Sequence, residues 1–301
     1  MKAFIIRLGK FILPLFCLFL LIEFLLRSIP NDYSYKNQFL EEHIGDVECL
    51  VLGSSHAYFG INPSYLDGMV FNAAHVSQTI DYDFRIFEKF IDRGKQLNTV
   101  LLPLDYFTLF GRVELGLESW RVKNYQIYYR FINSLSPQSN FELLGPTLPK
   151  NFKRIKVFLL KSKSDLLCDS LGFGNFEREQ ADLLETGSTA AKRHTKEDRS
   201  YYSESVLLFE KMINEALDRN IEVVIYTTPL YKSYRDNLDI TQDSLNKVFL
   251  SSIKSAYPNV VYLDYSCDDR FLQTDFRDGD HLNTSGAKKL SLLLRSRIKN
   301  K

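Results

Sequence analysis

The sequence has almost no excess of charge of either sign. Lys and Arg number 38 against 37 Asp and Glu, a net charge of +1, so there is no electrostatic reason to expect nucleic-acid binding. Cysteine is scarce, and the four cysteines form no CxxC pair and no metal-like cluster. Hydrophobic residues make up 45% of the chain and aromatic residues 14%, which is typical of a globular protein. We therefore expect no nucleic-acid partner, no metal and no cofactor.

A long apolar run lies at the N-terminus. Residues 11–26 are interrupted only by Pro14 and Glu23, and extended back to residue 3 the run exceeds the ~20 residues that a spanning helix needs. Glu23 precedes Arg27 by nearly one turn, so the two side chains could pair. Three basic residues come before the apolar core: Lys2, Arg7 and Lys10. A buried amphipathic helix is the weaker interpretation, because the run is apolar on every face.

The flanking charges and the missing cleavage site define a topology. Basic residues before a span place the N-terminus in the cytoplasm, and the sequence after it has no small-x-small cleavage pattern. We predict a signal anchor over residues 1–30, crossing the cell (inner) membrane once. Residues 31–301 then form an extracytoplasmic, periplasmic domain. In that compartment Cys168 and Cys267 could pair, and the sequence leaves this open.

The rest of the chain alternates short apolar runs with helical patterns. The predicted strands are Cys49–Gly53, Met69–Ala73, Thr99–Leu104, Glu222–Thr227 and Asn259–Tyr265. The predicted helices are Tyr82–Arg93, Glu204–Arg219, Ser244–Tyr257 and Ser285–Ile298. In the second of these helices, the apolar positions at helical spacing are Leu207, Leu208, Met212 and Leu217. This alternation predicts a three-layer α/β fold with a five-stranded parallel sheet, whose ligand site lies at the carboxyl ends of the strands.

One segment, residues 106–200, breaks the alternation and is too long for an ordinary connection. We expect it to form a cap or lid beside the cleft rather than a separate domain. Four aromatic residues in it are candidates for substrate binding: Trp120, Tyr125, Tyr128 and Phe173. Residues 150–163 hold six basic and no acidic residues. A solvated basic helix is the preferred interpretation of this run, and a grip on an anionic glycan or lipid headgroup is the alternative.

Two motifs carry residues suited to nucleophilic catalysis. GSSHAYFGINP follows the first strand, where Gly53 permits a tight turn and a serine hydroxyl would project at the carboxyl edge of the sheet. DFRDGDHLNTSGAKKLS precedes the last helix, and its Asp278 is spaced to hold the imidazole of His281 in one tautomer. Asp280 is the alternative partner of that imidazole. Each motif alone is weak, because either could be a turn or a helix cap.

Taken together, the two motifs resemble the SGNH/GDSL family of esterases and acyltransferases. The family's first block, Gly-Asp-Ser, corresponds to Gly53-Ser54-Ser55, with Ser54 in place of the Asp, and its Asp-x-x-His block matches Asp278–His281. The resemblance implies a flavodoxin-like sheet and a triad of Ser55, His281 and Asp278. Within the family, the chain looks most like membrane-anchored proteins that modify surface polysaccharides, such as alginate O-acetylation proteins and the teichoic acid D-alanyl transfer protein. The resemblance covers residues 47–105 and 204–300.

The middle blocks of the family pattern fit less well. The segment after strand two, VFNAAHVSQTIDYDF, lacks the expected glycine, and strand three ends in PLDYF without the Gly-x-Asn-Asp block. Replacement oxyanion or cleft candidates are Ser54, Asn72, His75 and the backbone around Ser77. His56 could line the cleft and bind substrate, and a solvent-facing position in the turn is the equal alternative. The remaining histidine of the insertion, His194, and its neighbour Arg193 are interpreted as surface residues.

The resemblance leads to two hypotheses. The first is an acyltransferase or acylesterase that handles ester-linked acyl groups, most simply acetyl, of a cell-surface polysaccharide through an acyl-enzyme on Ser55. Its partners would be the glycan, the membrane and a membrane acyl-donor protein. The second is a membrane-anchored glycan-binding or assembly protein of the same fold with weak or no catalysis, which the incomplete middle blocks favour.

Overall fold

The computed structural model describes residues 1–145, 147–175 and 179–298. Within them, a sheet of five parallel strands has the order β2-β1-β3-β4-β5. The strands are β1 (Cys49–Val51), β2 (Val70–Asn72), β3 (Thr99–Pro103), β4 (Glu222–Thr227) and β5 (Val261–Asp264). The first three are buried throughout, whereas edge strand β5 is partly exposed. The predicted parallel α/β sheet is confirmed, with strand ends within two residues of the predicted ones.

Helices separate these strands along the chain. They are α1 (Lys2–Arg27), α2 (Asp32–His43), α3 (Ser55–Gly60), α4 (Ile80–Phe90), α5 (Val122–Asn124), α6 (Pro137–Asn140), α7 (Leu148–Lys161), α8 (Leu183–His194), α9 (Tyr202–Asp218), α10 (Lys232–Arg235), α11 (Ile240–Ala256) and α12 (Thr284–Arg295). A π-helical turn, Tyr125–Tyr129, follows α5. Helices α4 and α9 pack together, as do α3 and α12. The α3–α12 contact ties the first strand's exit to the last helix.

The chain divides into two compact units. The smaller comprises Met1–Asn37 and Ser119–Leu166, and the larger comprises Gln38–Glu118 and the chain from Leu167 onward. Residues 106–200, the predicted insertion, are divided between the two units. Its middle part joins the smaller unit, where Leu143 packs on Leu26 and Ile29 at the end of α1.

Helix α1 dominates the smaller unit. Its segment Ile6–Arg27 has a mean hydropathy of 2.2, and only 6% of it is buried within the chain, so it is long and apolar enough to cross a membrane. Glu23 and Arg27 pair as predicted, at 2.6 Å between Oε1 and Nε. The same Glu23 carboxylate accepts the backbone N–H groups of Glu142 and Leu143, both at 3.0 Å.

The four cysteines are free thiols in the described chain. Cys168 is buried and Cys267 is exposed, so the pairing that the sequence left open is not formed.

Candidate active site

The site begins at the turn between β1 and α3. Ser54 caps the helix, since its Oγ accepts the His56 N–H at 3.3 Å, and Ser55 is the first helical residue. Gly53 has a φ of +123°, and a side chain there would collide with Pro103. Glycine is therefore required for the chain to turn at this point.

A buried carboxylate holds this turn from below. Asp83 Oδ1 accepts the Gly53 N–H at 2.7 Å and the Gln78 side-chain amide at 2.6 Å. Burial raises the pKa of Asp83 to about 7. Asp83 therefore changes charge near neutral pH directly beneath the turn that presents Ser55.

The loop before α12 brings a histidine to Ser55. An Arg277 N–H bond to the His281 carbonyl, 2.9 Å long, closes the loop. Asp278 Oδ1 accepts the His281 backbone N–H at 2.8 Å and lies 2.8 Å from the ring Nδ1. The other ring nitrogen, Nε2, is 2.8 Å from Ser55 Oγ. Although 226 residues separate them in sequence, Ser55 and His281 are thus within hydrogen-bonding distance.

These contacts favour one tautomer of His281. A proton on Nδ1 is donated to the carboxylate of Asp278, so Nε2 keeps a lone pair that can accept the Ser55 hydroxyl proton. Burial raises the pKa of Asp278, but the hydrogen bond and charge of His281 outweigh it, and the pKa lies below its ordinary value. Asp280 is the more distant carboxylate, at 3.4 Å from Nδ1. Asp278 is therefore the closer partner, as the sequence favoured.

A second histidine, His56, is buried next to the partly exposed His281. The His56 and His281 rings meet edge to face with centroids 5.2 Å apart. His56 Nε2 is 3.5 Å from Asp280 Oδ2, and its Nδ1 is 3.2 Å from Asp105 Oδ2. Thr228 Oγ1 lies 3.0 Å from the same Nδ1 and donates to Asp105 Oδ1 at 2.7 Å. We call Asp105, Thr228, His56 and Asp280 the His56 network.

The geometry makes His56 a cation. Both ring nitrogens face acceptors, which only the doubly protonated imidazolium can satisfy. Burial lowers the pKa of His56, but the charges and hydrogen bonds of Asp105 and Asp280 raise it to about 10. In return, although burial opposes it, His56 helps to hold the pKa of both carboxyls below their ordinary value. The predicted role of His56 in lining a cleft is wrong, because it is 3% exposed and fully engaged.

Two parts of the insertion, Phe107 and the pair Arg193 and His194, lie close to the His56 network. The His194 ring lies 4.3 Å from Phe107 and 6.0 Å from His56 between centroids, and its Nδ1 is 2.8 Å from the Tyr234 hydroxyl. Burial, with the positive charges nearby, lowers the pKa of His194 well below its ordinary value. Arg193 Nη2 is 3.5 Å from Asp280 Oδ2. The interpretation as a surface residue holds for Arg193, whose side chain is 51% exposed. It is wrong for His194, whose half-buried ring packs against Phe107 and His56.

Helix α8 supports the loop that carries the histidine. The Thr186 hydroxyl accepts the Gly279 N–H at 2.9 Å, and a side chain on Gly279 would collide with the backbone of Gly187. Two glycines thus allow α8 and the loop to touch backbone to backbone. The last part of the insertion therefore buttresses the Asp278–His281 loop.

The side chains proposed as oxyanion donors mostly have other partners. Asn72 donates both hydrogens of its amide, to the carbonyls of Ala57 and Ile61 at 2.9 and 2.8 Å, so its side chain cannot serve an oxyanion. His75 is buried, and its backbone N–H donates to the Gly53 carbonyl at 3.2 Å. Ser77 has a φ of 59°, and its hydroxyl donates to Glu118. Ser54 serves as the helix cap.

The aromatic candidates for substrate binding are mostly interior residues. Phe173, in the larger unit, is buried. In the smaller unit, Tyr125 is buried against Tyr33, and the Tyr128 hydroxyl donates to Glu142 at 3.0 Å. Trp120 is exposed, with the Arg121 guanidinium 4.5 Å from its ring. The prediction that Tyr125 and Phe173 are available to bind substrate is wrong, because their rings are covered by the protein.

Three side chains come close enough to suggest a metal site. One possible ligand atom from each of His56, Asp280 and His281 lies within 4.8 Å of the others. As a buried imidazolium, however, His56 has no lone pair for a metal, and His281 Nδ1 faces Asp278. The cluster therefore fits an ion-pair network better than a metal centre.

Sequence reasoning overlooked Asp105 and Thr228. Both directly follow strands, Asp105 two residues after β3 and Thr228 one residue after β4. A signal existed, because a polar residue at the carboxyl end of a buried strand belongs at the ligand edge of a parallel sheet.

Comparisons with known proteins give similar folds at low scores. No family model and no curated protein matches the sequence. Among solved structures, a GDSL-like lipase from Bacteroides thetaiotaomicron is 9% identical, covering 88% of this chain and 97% of its own, with a TM-score of 0.41. A protein from Bacteroides fragilis described as an acylhydrolase is 10% identical over 89% and 97%, with a TM-score of 0.42. With TM-scores below 0.5, neither likeness carries the functional proposal, which rests on the distances above.

The buried Asp83 leads to a pH prediction. Its folded pKa of about 7 exceeds the ordinary 3.8, so its contribution to stability is lost as the pH rises from about 4 through 7. Asp83→Asn keeps the acceptor for Gly53 without the charge. We expect the free energy of unfolding of Asp83→Asn, measured relative to that of the parent, to be on the order of 1–3 kcal/mol higher at pH 8 than at pH 5. Denaturant titrations in detergent at both pH values measure this.

Asp92→Asn is the matched control for that experiment, because Asp92 is 74% exposed. If the free energy of unfolding of Asp83→Asn differs from that of the parent by the same amount at pH 5 and pH 8, the raised pKa of Asp83 is contradicted.

Proposed function

We propose that the protein is a serine esterase or acyltransferase with Ser55 as nucleophile, His281 as general base and Asp278 as the residue that orients it. One observation carries this proposal: Oγ of Ser55, the two ring nitrogens of His281 and Oδ1 of Asp278 form a continuous chain with two links of 2.8 Å. That is the geometry in which a hydroxyl can lose its proton as it attacks a carbonyl.

The chemistry would proceed in two steps. Ser55 Oγ attacks the ester carbonyl while its proton moves to His281 Nε2, and the Asp278 carboxylate stabilises the imidazolium. Collapse expels the alcohol, which takes that proton from His281, and leaves an acyl-Ser55 ester. A second hydroxyl, from a sugar or from water, then attacks the acyl carbon and gives its proton to His281. Collapse breaks the bond to Ser55 Oγ, which takes that proton back as the new ester or the free acid leaves. Transfer and hydrolysis differ only in this acceptor.

The oxyanion would be held by backbone rather than by a side-chain amide. Asn72 is fully engaged, whereas the first N–H groups of a helix have no intrahelical partner. We assign the Ser55 N–H, at the start of α3, to the oxyanion. One such donor contributes about 3 kcal/mol to the transition state.

The proposed substrate is an ester-linked acyl group, most simply acetyl, on a cell-surface polysaccharide. Support comes from α1, which is apolar enough to anchor the protein in a membrane, and from the sequence resemblance to membrane-anchored polysaccharide-modifying proteins. The partners in this proposal are the glycan and a membrane acyl-donor protein. The engaged Asn72 favours the second candidate function, a glycan-binding or assembly protein without efficient chemistry.

Active-site labelling separates these two functions. A fluorophosphonate probe is expected to label the detergent-solubilised protein, because it reacts with serine hydroxyls activated by a neighbouring base. Ser55→Ala should abolish the label, and Ser54→Ala should retain it. Labelling absent from the folded parent protein would exclude the enzyme and leave the binding function.

Membrane orientation has its own test. We predict a cytoplasmic N-terminus and an extracytoplasmic active site, since Lys2, Arg7 and Lys10 precede the apolar part of α1. A phosphatase that is active only outside the cytoplasm, fused to the C-terminus, should be fully active, and a fusion to a variant with the three residues changed to Glu should lose most of that activity. An inactive parental fusion would refute the topology.

A further inference from the structure

Helix α7 has an unusual surface for a helix in water. Leu148, Phe152 and Leu159 are each more than half exposed, and their spacings of four and seven residues place them on one stripe of the helix. Leu160 is 73% exposed beside them. Large apolar side chains grouped in this way mark a surface that another phase or molecule covers.

The same helix is strongly basic. Five exposed lysines lie on it or just after it: Lys150, Lys153, Lys156, Lys161 and Lys163. The chain has no acidic residue between Glu142 and Asp165. By helical geometry Lys156 lies beside the apolar stripe and Lys153 beyond it, where their long stems can reach along an apolar surface to a polar boundary. The uncovered face therefore combines apolar contact with positive charge.

Helix α7 packs directly on the membrane-length helix. Ile155 and Phe158 of α7 pack with Phe19 and Ile22 of α1 around Leu26, Ile29 and Leu143. The contact is reinforced by polar bonds, because Asn151 donates to the Leu143 carbonyl at 3.0 Å and Glu23 accepts the Leu143 N–H. Phe19 precedes the end of α1 by eight residues, so α7 lies alongside roughly the last 12 Å of α1.

The position of α7 relative to a bilayer follows from its packing along the last turns of α1. If α1 spans, its last turns pass through the outer acyl chains and the headgroups, and an interfacial amphipathic helix buries its apolar face ~5–10 Å into that region. We propose that α7 is such a helix and that it lies on the surface of a bilayer containing anionic lipid, with Leu148, Phe152 and Leu159 among the acyl chains. Lys153 and Lys156 then reach the phosphates. This inference rests on the proposed anchoring by α1.

The test uses the full chain with a single tryptophan. Trp120 is the only native tryptophan, so Trp120→Phe gives a dark background. Phe152→Trp then reports from the apolar stripe, and Lys150→Trp, on the opposite side of α7, is the matched control. Each protein is reconstituted into vesicles of phosphatidylcholine with brominated acyl chains, with or without phosphatidylglycerol.

We expect the reporter at position 152 to be quenched roughly twofold or more above the reporter at 150, and more strongly with phosphatidylglycerol. Lys153→Gln with Lys156→Gln should remove the dependence on phosphatidylglycerol. Equal quenching at 150 and 152, or quenching independent of anionic lipid, would overturn the proposal. A blue shift of the emission at position 152 that depends on protein concentration in detergent would also overturn it, because it indicates contact with a second copy. So would a blue shift of that emission caused by adding a soluble anionic glycan.

Vesicle flotation separates this proposal from the anchoring on which it rests. If the protein fails to float with the vesicles after alkaline extraction, anchoring by α1 is refuted. A protein that floats but leaves position 152 unquenched refutes the role of α7 alone.

Discussion

Ser55→Ala and His281→Ala are each expected to lower kcat for a simple aryl acetate by about 10⁶-fold, whereas Asp278→Asn should cost about 10⁴-fold. The first two remove the nucleophile or its base. The third leaves an amide that can turn its NH₂ toward Nδ1 of His281, which favours the tautomer that cannot accept the serine proton. Steady-state kinetics on the three purified variants measure these losses.

The three effects should not add. Because the residues act as one unit, a Ser55→Ala, His281→Ala double variant should be no slower than either single variant. Melting temperatures close to that of the parent show that the fold is intact. Full activity in Ser55→Ala would move the nucleophile elsewhere, and Ser54 would be examined first.

Asp105→Ala is expected to destabilise the protein by about 3–5 kcal/mol, because it leaves the His56 imidazolium buried without one of its two carboxylates. The variant also deprives the Thr228 N–H and hydroxyl of their acceptor. Denaturant unfolding in detergent gives the free energy. Asp92→Ala, which breaks an exposed ion pair with Arg219, is the control and should cost no more than about 1 kcal/mol.

The pH dependence of stability gives a second measure of the same ion pair. The folded pKa of His56, about 10, exceeds its ordinary 6.5. The stabilisation is therefore complete below about 6.5 and is lost as the pH rises toward 10. His56→Gln should flatten this alkaline loss. If Asp105→Ala costs no more than the control and the alkaline loss persists in His56→Gln, the buried pair does not exist as described.

The sequence alone predicted that Ser55, His281 and Asp278 lie together, and there is a physical reason why this proximity was predictable. Ser55 follows β1 and the Asp278–His281 loop precedes α12, and both places lie at the carboxyl edge of a parallel sheet, where local patterns are enough to assign them. The strands were predictable for a similar reason, because short apolar runs buried on both faces stand out from their flanks. Helix α1 was predictable in the same way, because its apolar run consists of consecutive residues.

Other features were decided by tertiary packing. In α9 the sequence placed Leu207 among the apolar positions at helical spacing, but Leu207 is 65% exposed. The buried apolar residues of this helix are Phe209, Met212, Ile213 and Ala216. A helix with apolar residues on more than one side turns toward whichever neighbour it meets, here α4. Periodicity gives the helix, whereas its partner selects the face.

The His56 network depended most on the three-dimensional structure. His56 lies 172 residues from Thr228 and 224 from Asp280 in the sequence, and no spacing rule connects positions so far apart. From its place next to Ser55 in the sequence, His56 is predicted to line the cleft. Only the structure shows that Asp105 and Asp280 face its two ring nitrogens. The sequence determined which side chains reach the carboxyl edge of the sheet. Only tertiary packing decided which of them stay partly exposed and which are buried as ion pairs.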